Sequence, residues 1–191
     1  MTPLISILTP AIWDRVEQAK ALAEKITTQA EAFAGQVEHV VVFDNRAVPI
    51  GLKRQACFDS SHGKYITFCD DDDDISGDYV ANLIAAAELN PDVITFQEIA
   101  TVDDQKSHIT MSMKNKDGPF TPDGQTIRSA WHVCAWKREL VKDCTFPAIN
   151  YGEDIAWCMQ ARMRVKNELH IPRVLHYYRH NSKTTAAPFE G

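Results

Sequence analysis

Short apolar runs and longer amphipathic segments alternate along the first half of the chain. Continuous apolar runs, such as residues 40–43, are typical of strands covered on both faces, whereas apolar residues at every third or fourth position form one face of a helix. These patterns predict strands at 4–8, 37–43, 65–69 and 92–97, and helices that begin at Thr9-Pro10 and span 49–60 and 77–89. The alternation predicts an α/β fold with a mostly parallel sheet and helices on both faces.

The second half of the chain has a less regular pattern. We expect a pair of strands within 98–113, a polar loop at 114–128, a strand at 131–136 followed by a short helix, a helix of about fifteen residues from Gly152, and a last strand at 174–179. There is no internal repeat, and no change of composition marks a linker. The sequence therefore predicts a single domain over residues 1–191.

Composition excludes several classes of protein. The chain has 191 residues, of which 45% are hydrophobic and 24% charged, as expected for a globular protein rather than a disordered or fibrous one. It contains no apolar stretch of the roughly 18–20 residues that cross a membrane, and its start lacks a signal-peptide pattern. We therefore expect a cytoplasmic protein without membrane insertion. The five cysteines include no C-x-x-C pair, which predicts reduced thiols rather than a disulfide framework or a zinc site.

Charge is distributed unevenly along the chain. The net charge is 20 − 26 = −6, which argues weakly against nucleic-acid binding by bulk electrostatics. Five consecutive aspartates occupy residues 70–74, here called the aspartate run, directly after the strand predicted at 65–69. From residue 162 onward, six basic residues stand against two acidic ones. The sequence thus combines an acidic centre with a basic C-terminal end.

The aspartate run has the composition of a cation site. Adjacent carboxylates repel one another, and a hard divalent cation such as Mg²⁺ or Mn²⁺ removes the penalty of keeping them ionised. Ligands of open α/β sheets bind beyond the carboxyl ends of the strands, which is where the run is predicted to lie. The alternative is a solvated turn in which Asp74 and Asp78 cap a helix. The apolar strand directly before the run favours a metal–phosphate site.

Residues 63–80 resemble the signature of family 2 glycosyltransferases, enzymes of the GT-A fold in which a strand leads into a D-x-D motif. The resemblance implies a GT-A-like, Rossmann-like three-layer sandwich and a nucleotide-sugar donor. It assigns Asp70 and Asp72 to the D-x-D motif, with Asp70 facing the donor ribose and Asp72 binding the metal on the diphosphate. Asp70 is also a candidate metal ligand. Asp71 falls in the same donor site, and Asp73 is the usual third acid.

Three earlier segments resemble donor-binding parts of the same family. The first predicted strand and its following turn are similar to the family's first strand, which implies that Thr9 and Pro10 contact the donor. Asp44 ends a segment similar to the second strand, where an acid accepts the imide N–H of the base. Residues 51–56 are similar to a G-x-x-x-R-N segment, which implies that Arg54 lies near the donor phosphates or base.

Residues 151–157 resemble the family's G-E-D motif at the start of a helix. In inverting members one of these acids is the general base, which deprotonates the acceptor hydroxyl as it attacks the anomeric carbon. We assign that role to Asp154 first and to Glu153 second. The alternative is that Gly152 is an N-cap and that the helix dipole favours two acids after it.

Basic and aromatic residues of the second half complete the resemblance. Residues 175–184 are similar to the family's terminal Y-Y-R-x-H-x-x-S segment, whose basic charge suits a diphosphate or its metal. The residues implied are Arg179 and Lys183 for the donor and His176 and His180 for the metal. Trp131 and His132 fall at the family's acceptor-side strand, and Trp131 or Trp136 is a candidate for stacking on a flat acceptor.

The resemblance implies an inverting glycosyltransferase that uses Mn²⁺ or Mg²⁺ and a nucleotide diphosphate sugar, with a UDP-sugar as the default donor. Residues 1–100 would form the nucleotide-sugar half, and residues 101–191 the acceptor and catalytic half. The hydroxyl acceptor is a saccharide, a protein or a hydroxylated base in DNA. Two alternatives stay open: a haloacid dehalogenase-like phosphatase and a non-catalytic module that binds metal or sugar nucleotide. A nucleotidyltransferase shares the fold and the metal chemistry but is not expected to carry a G-E-D motif.

Overall fold

In the computed structural model, which describes residues 2–181, nine strands form one sheet. The strands are β1 (Ile5–Ile12), β2 (Val37–Asp44), β3 (Tyr65–Phe68), β4 (Asp74–Ile75), β5 (Val93–Val102), β6 (Gln105–Met111), β7 (Gln125–Arg128), β8 (Ala135–Lys137) and β9 (Glu168–His180). The helices are α1 (Val16–Ala30), α2 (Ile50–Ser60), α3 (Tyr79–Glu88), α4 (Arg138–Val141) and α5 (Glu153–Arg162). The strand order is β2-β1-β3-β8-β5-β6-β7, and β9 pairs with β5 and β4.

The prediction of an α/β fold with a mostly parallel sheet is confirmed. The strands β1, β2, β3, β5 and β9 run in one direction, and β8 enters between β3 and β5 in the opposite direction. Helices α1 and α3 pack together on one face of the sheet, whereas α2 and α5 pack together on the other. Because β1, β2 and β3 are parallel, their carboxyl ends meet at one edge of the sheet.

The core lies on both faces of β1 and β3, whose residues are all buried, as their continuous apolar runs predict. Between the sheet and α5, Phe146 stacks on Trp157 with 5.2 Å between ring centroids, and Trp136 meets Trp157 edge-on at 5.6 Å. Phe68, the last residue of β3, contacts the same indole at 6.4 Å. This aromatic cluster holds α5 against the end of β3.

Strand β1 is longer than predicted, and the expectation that Thr9-Pro10 begins a helix is wrong. β1 continues through both residues to Ile12, and a short 3-10 turn (Trp13–Arg15) precedes α1. Proline is tolerated in a sheet where its ring nitrogen faces an unpaired side. β3 pairs with β1 only as far as Leu8, so Pro10 leaves no ladder hydrogen bond unmade on that side.

Several boundaries in the second half also differ from the prediction. The loop predicted at 114–128 contains β7, the strand predicted at 131–136 is reduced to β8, and α5 has 10 residues. β9 has 13 residues because it pairs along the whole of β5, a partner that its own periodicity does not reveal. Gly152 is the N-cap of α5 with φ 78°, a left-handed conformation that favours glycine.

Two further features concern thiols and membranes. The five cysteines are free and buried, where they act as small apolar side chains of the core. Within residues 2–181, every helix is too short or too polar to cross a bilayer.

Candidate active site

The candidate site lies at the edge where β1, β2 and β3 end. Asp44 is the last residue of β2, and the aspartate run begins just after β3. An open cleft of about 750 Å³ adjoins the run between α1 and the end of β9. Its polar lining includes Arg15, Lys25, Arg46, Asp72, Arg179 and His180. The aspartate run therefore lies at the carboxyl edge that the sequence predicts for it.

Cationic side chains from other elements meet every carboxylate of the aspartate run. The pairs are Asp70 with Arg54, Asp71 and Asp72 with Arg15, Asp73 with His176, and Asp74 with Lys25 and Arg179. These cations come from α1, from the turn before it, from α2 and from β9. From the sequence alone, a metal ion is the expected source of the positive charge that neutralises the aspartate run. In the folded chain, basic side chains supply much of that charge. The basic residues of the C-terminal end contribute through β9.

Arg54 joins the aspartate run to the Gly-Glu-Asp segment (residues 152–154). Its terminal nitrogens donate to both oxygens of Asp70 at 2.7 and 2.8 Å, and its Nε donates to Oε1 of Glu153 at 3.1 Å. Burial raises the pKa of Asp70, but the guanidinium of Arg54 outweighs it and holds the pKa below its ordinary value. The two sequence motifs therefore meet at one buried guanidinium. The phosphate contact implied for Arg54 stays a prediction.

The two acids of the Gly-Glu-Asp segment differ in exposure. The side chain of Glu153 is 6% exposed, and burial raises its pKa. The side chain of Asp154 is 22% exposed, with Oδ1 accepting the N–H of Ile155 at 2.7 Å and Oδ2 lying 3.6 Å from Nδ1 of His132. Burial and the charge of Arg54 lower the pKa of His132 to about 4, so its ring is neutral at pH 7. Of the two acids, Asp154 is therefore the more accessible to solvent.

Arg15 ends the turn between β1 and α1 and faces two aspartates. Its Nε lies 3.2 Å from Oδ1 of Asp71, and a terminal nitrogen contacts Oδ2 of Asp72. The other oxygen of Asp71 accepts the backbone N–H of Ile12 at 2.9 Å. Burial raises the pKa of Asp71 to about 6 and also raises the pKa of Asp72. Asp71 thus ties β1 to the run, whereas Asp72 lines the cleft.

His176 is fully buried between two carboxylates. Its Nδ1 lies 2.7 Å from Oε2 of Glu98, and its Nε2 lies 3.4 Å from Oδ2 of Asp73. Burial acts to lower the pKa of His176, but the charge of Asp73 and hydrogen bonds with Cys69 and Glu98 raise it well above its ordinary value. His176 therefore links Asp73 of the aspartate run to Glu98 of β5, with one ring nitrogen facing each carboxyl group.

The end of β9 adds positive charge to the cleft. The backbone N–H of Arg179 donates to Oδ1 of Asp73 at 3.1 Å, and its side chain lies 3.3 Å from Asp74. Lys25 of α1 contacts the same aspartate at 2.7 Å. Lys183, the other basic residue implied for the donor, lies outside the described residues.

Asp44 and an aromatic stack form the opposite side of this edge. Oδ1 of Asp44 contacts Nζ of Lys53 on α2, which also donates to the backbone oxygen of Ala11 at 3.0 Å. Burial acts to raise the pKa of Asp44, but hydrogen bonds, chiefly from Lys53, lower it. The neighbouring Phe43 stacks on Trp13 with 4.6 Å between ring centroids, and Trp13 is 52% exposed. An exposed flat ring at this edge of the sheet suits stacking with a nucleotide base.

Thr9 and Pro10 lie inside the sheet rather than in a turn. Both are buried in β1, and the hydroxyl of Thr9 is hydrogen-bonded to Nε2 of His39 in β2 at 2.9 Å. Burial lowers the pKa of His39 to about 4. The exposed side chains of this segment belong instead to the turn Trp13–Arg15.

The tryptophans near β8 have different surroundings. Trp136 is fully buried in the core and packs on Trp157, so the structure corrects the suggestion that it stacks on an acceptor. Trp131 is partly exposed, and the guanidinium groups of Arg128 and Arg162 lie 5.8 and 5.5 Å from its ring centroid. Trp131 therefore remains the candidate on the acceptor side, within a positively charged setting.

The four residues assigned to a metal ion do not converge. Asp70 is held by a guanidinium, His176 lies between two carboxylates, and within residues 2–181 no three acidic, histidine or cysteine side chains are grouped to hold a metal. Asp72 and His180 line the cleft together. Mg²⁺ is commonly bound through one or two carboxylates and substrate phosphates. The side chain of Asp72 is 23% exposed and lines the cleft, so the residues present fit such a cation.

Sequence reasoning missed several residues of the site, namely Trp13, Arg15, Lys53 and Glu98. Arg15 and Lys53 occupy ordinary polar positions of helical segments. The aspartates that Arg15 contacts are 56 and 57 residues away in the chain, and the aspartate that Lys53 contacts is 9 residues away. Lys53 gave one signal, since it adjoins Arg54. No sequence signal identifies Glu98 or Trp13. The position of Glu98 depends on the pairing of β5 with β9, and the position of Trp13 depends on the extension of β1.

The sequence is similar to a known protein family. Residues 21–145, well over half of the chain, match the sequence profile described as Glycosyl transferase family 2. No curated protein has a matching sequence. The match favours a glycosyltransferase over the phosphatase alternative.

Among solved structures, S. aureus TarS is similar in fold. The crystal structure of TarS 1-349 gives a TM-score of 0.64 at 13% identity and covers 92% of this chain and 60% of that chain. The crystal structure of TarS 1-349 in complex with UDP gives a TM-score of 0.62 at 13% identity and also covers 92% of this chain and 60% of that chain. The complex with UDP-GlcNAc gives 0.64 at 13% identity and covers 96% and 61%.

This likeness shows the fold, and this chain spans about three fifths of the TarS 1-349 chain. The GT-A-like sandwich implied by the resemblance is confirmed. Together with the profile match, it establishes that the chain belongs to glycosyl transferase family 2.

Proposed function

We propose that this protein is a metal-dependent, inverting glycosyltransferase that moves a sugar from a nucleotide diphosphate sugar to a hydroxyl group. The supporting observation is that the buried guanidinium of Arg54 binds Asp70 and Glu153 together. In an inverting transfer the acceptor attacks the anomeric carbon from the face opposite the departing nucleotide. The acids that bind the donor and the general base must therefore lie on opposite sides of that carbon. The bridge made by Arg54 supports that arrangement.

The donor half of the site comprises residues 1–100 in this proposal. We assign the base to Asp44 and the exposed ring of Trp13, and the ribose to Asp70. Positive charge on Lys25 and Arg179 favours a diphosphate in the cleft. A UDP-sugar is the favoured donor, in keeping with the UDP and UDP-GlcNAc in the TarS complexes.

Asp72 is the proposed protein ligand of the cation, with His180 on the same cleft as a second candidate. Mn²⁺ or Mg²⁺ bound there supplies positive charge that stabilises the leaving diphosphate. Arg15 and Arg179 add fixed positive charge beside it. Asp70 and His176 are assigned a supporting role, because their polar atoms are held by other side chains.

Asp154 is the proposed general base. Its carboxylate is the more exposed of the two acids, whereas Glu153 is buried against Arg54. Its Oδ2 lies 3.6 Å from Nδ1 of His132, which is on the side assigned to the acceptor hydroxyl. Glu153 is assigned to positioning, through its hydrogen bond with Arg54.

The acceptor half comprises residues 101–191 in the same proposal, with Trp131 and His132 beside Asp154. Trp131 offers a flat ring to a sugar or a base. A saccharide, a protein and a hydroxylated DNA base are the acceptor classes considered. Because the chain spans about three fifths of the TarS 1-349 chain, the activity of the whole protein is part of the proposal.

A panel of nucleotide sugars tests this function directly. Thermal unfolding with Mn²⁺ and each UDP-, GDP-, CMP- or dTDP-sugar reports donor binding, and nucleotide release in the presence of each acceptor class reports transfer. We expect the largest rise in melting temperature with a UDP-sugar, and a rise that EDTA reverses. Donor binding without transfer to any acceptor would support the binding-module alternative. An unchanged melting temperature with every donor contradicts the proposed function.

A further inference from the structure

Arg15 is the one cation of the described cleft that contacts Asp72, the proposed metal ligand. Its terminal nitrogen meets Oδ2 of Asp72, and its Nε lies 3.2 Å from Oδ1 of Asp71. The other cations of the cleft have different partners, since Lys25 and Arg179 contact Asp74 and Arg46 contacts Asp14. Arg15 therefore occupies the space in which a cation on Asp72 would lie.

The contact between Arg15 and Asp71 is incompletely satisfied. The side chain of Asp71 is 1% exposed, yet its Oδ1 accepts no hydrogen bond, and Nε of Arg15 is likewise buried without a hydrogen-bond partner. The pair is thus held by charge at 3.2 Å rather than by a directed bond. Buried polar groups usually find hydrogen-bond partners, so this pair points to a ligand that completes the site.

Arg15 also differs from Arg54 in how firmly it is held. Arg54 is 5% exposed and donates three hydrogen bonds to two carboxylates. The side chain of Arg15 is 25% exposed and lines the cleft. A guanidinium with few directed bonds and an open side toward solvent exchanges partners at lower cost than one with a full set.

We propose that Arg15 is a resident counter-ion of the donor site. While the site is empty, its guanidinium neutralises Asp71 and Asp72 and so competes with a divalent cation. When a cation and a nucleotide diphosphate bind, the cation takes over Asp72 and the guanidinium of Arg15 pairs with a donor phosphate. This role presupposes the donor site proposed above and adds a coupling between cation and nucleotide.

Two binding measurements on the folded protein test this role without an assay of activity. Electron paramagnetic resonance of Mn²⁺ gives its affinity in the absence of nucleotide, and calorimetry gives the affinity for UDP at saturating Mn²⁺. We expect Arg15→Gln to tighten Mn²⁺ binding about tenfold and to weaken UDP binding about tenfold, the range expected for loss of a charged contact. A rise in Mn²⁺ affinity together with a fall in UDP affinity distinguishes this role from general damage to the fold, which weakens the binding of both ligands.

Two further variants act as controls. Arg15→Lys keeps the charge and should leave Mn²⁺ affinity within about twofold of the unmodified protein, because competition depends on charge. Arg46 lines the same cleft but contacts Asp14 rather than the aspartate run. Arg46→Gln should therefore change Mn²⁺ affinity less than Arg15→Gln does. Circular dichroism verifies that each variant is folded.

The outcomes separate this role from the proposed function. Equal Mn²⁺ affinity in the unmodified protein and in Arg15→Gln overturns the role of Arg15 and leaves the donor site standing. Weaker Mn²⁺ binding in Arg15→Gln also overturns it. Failure of all variants to bind Mn²⁺ while UDP still binds overturns both the counter-ion role and the metal at Asp72. Failure to bind either ligand contradicts the proposed function as a whole.

Discussion

Glu153 and Asp154 are adjacent in the chain, yet their surroundings give them different chemistry. Glu153 is buried and hydrogen-bonded to Arg54, which commits one oxygen and fixes the side chain. Asp154 keeps Oδ2 within reach of solvent, beside a neutral histidine. A general base must reach the proton that it removes, so exposure decides between the two acids.

We expect Asp154→Asn to abolish transfer and to leave donor binding intact. Asparagine preserves the hydrogen bond accepted from Ile155 but takes up no proton, so kcat should fall by about 10²- to 10⁴-fold. Nucleotide release at saturating acceptor gives kcat, and calorimetry with UDP gives donor affinity. Asp143→Asn is the control, because Asp143 is an exposed aspartate with an ion pair to Arg164. A kcat equal to that of the control would contradict the base role.

His39 makes stability depend on pH. Burial lowers its pKa from 6.5 to about 4, so below pH 6.5 the unfolded chain binds a proton that the folded chain does not bind until about pH 4. The neutral ring therefore contributes stability that is complete above pH 6.5 and is lost as the pH falls toward 4.

We expect His39→Gln to reduce the loss of unfolding free energy between pH 7 and pH 5 by about 1–2 kcal/mol. Glutamine offers a hydrogen-bond partner to the hydroxyl of Thr9 and does not titrate. Urea denaturation of both proteins at the two pH values measures the difference. Parallel losses in the variant and the unmodified protein would show that His39 has an ordinary pKa in the fold.

At the scale of the elements, α2 acts as a clamp on the ends of two strands. Its neighbouring residues Lys53 and Arg54 contact Asp44, the last residue of β2, and Asp70, which follows β3. Gly51 lets the same helix approach the segment before α5, since a Cβ there would lie 1.9 Å from the backbone oxygen of Pro147. The helix thus fixes the donor edge and the start of α5 relative to each other.

We expect Arg54→Gln to lower the unfolding free energy by about 3–5 kcal/mol, because it leaves one buried and one partly exposed carboxylate without their buried counter-charge. The residues left unpaired are Asp70 and Glu153. The matched control is Arg164→Gln, whose exposed ion pair with Asp143 contributes less than about 1 kcal/mol. Chemical denaturation monitored by tryptophan fluorescence measures both. A loss as small as that of the control would mean that Arg54 does not bridge the two motifs.

At the scale of the whole molecule, much of the parallel half of the sheet was predictable from sequence, because local apolar runs determine β1, β2 and β3. The length of β9 was not, since a long strand with alternating polar residues depends on its partner β5 rather than on its own periodicity. The extension of β1 through Pro10 was also not predictable, because it depends on where β3 stops pairing.

The same contrast applies to the candidate site. Each of the two acidic motifs, the aspartate run and the Gly-Glu-Asp segment, is a continuous stretch of sequence. Their residue types and positions therefore already predicted acids at the end of a strand and at the start of a helix. The cations that neutralise the run are separated from it by 16 to 105 residues, and no local pattern identifies them. Assignment of Asp70 and His176 as metal ligands overlooked Arg54 and Glu98, which hold them in the fold.

The bridge made by Arg54 has a thermodynamic consequence for the order of binding. In the proposed assignment Asp70 belongs to the donor side and Glu153 to the acceptor side, and one guanidinium holds both. We therefore expect the binding free energies of the two substrates to depend on each other. Linkage requires that the factor by which donor tightens acceptor binding equals the factor by which acceptor tightens donor binding. We expect calorimetric titration of UDP with and without acceptor to yield a factor above one, and Arg54→Lys to bring it toward one. With such cooperativity, the catalytically competent site would form only when both substrates are bound. The donor would then be hydrolysed less in the absence of acceptor.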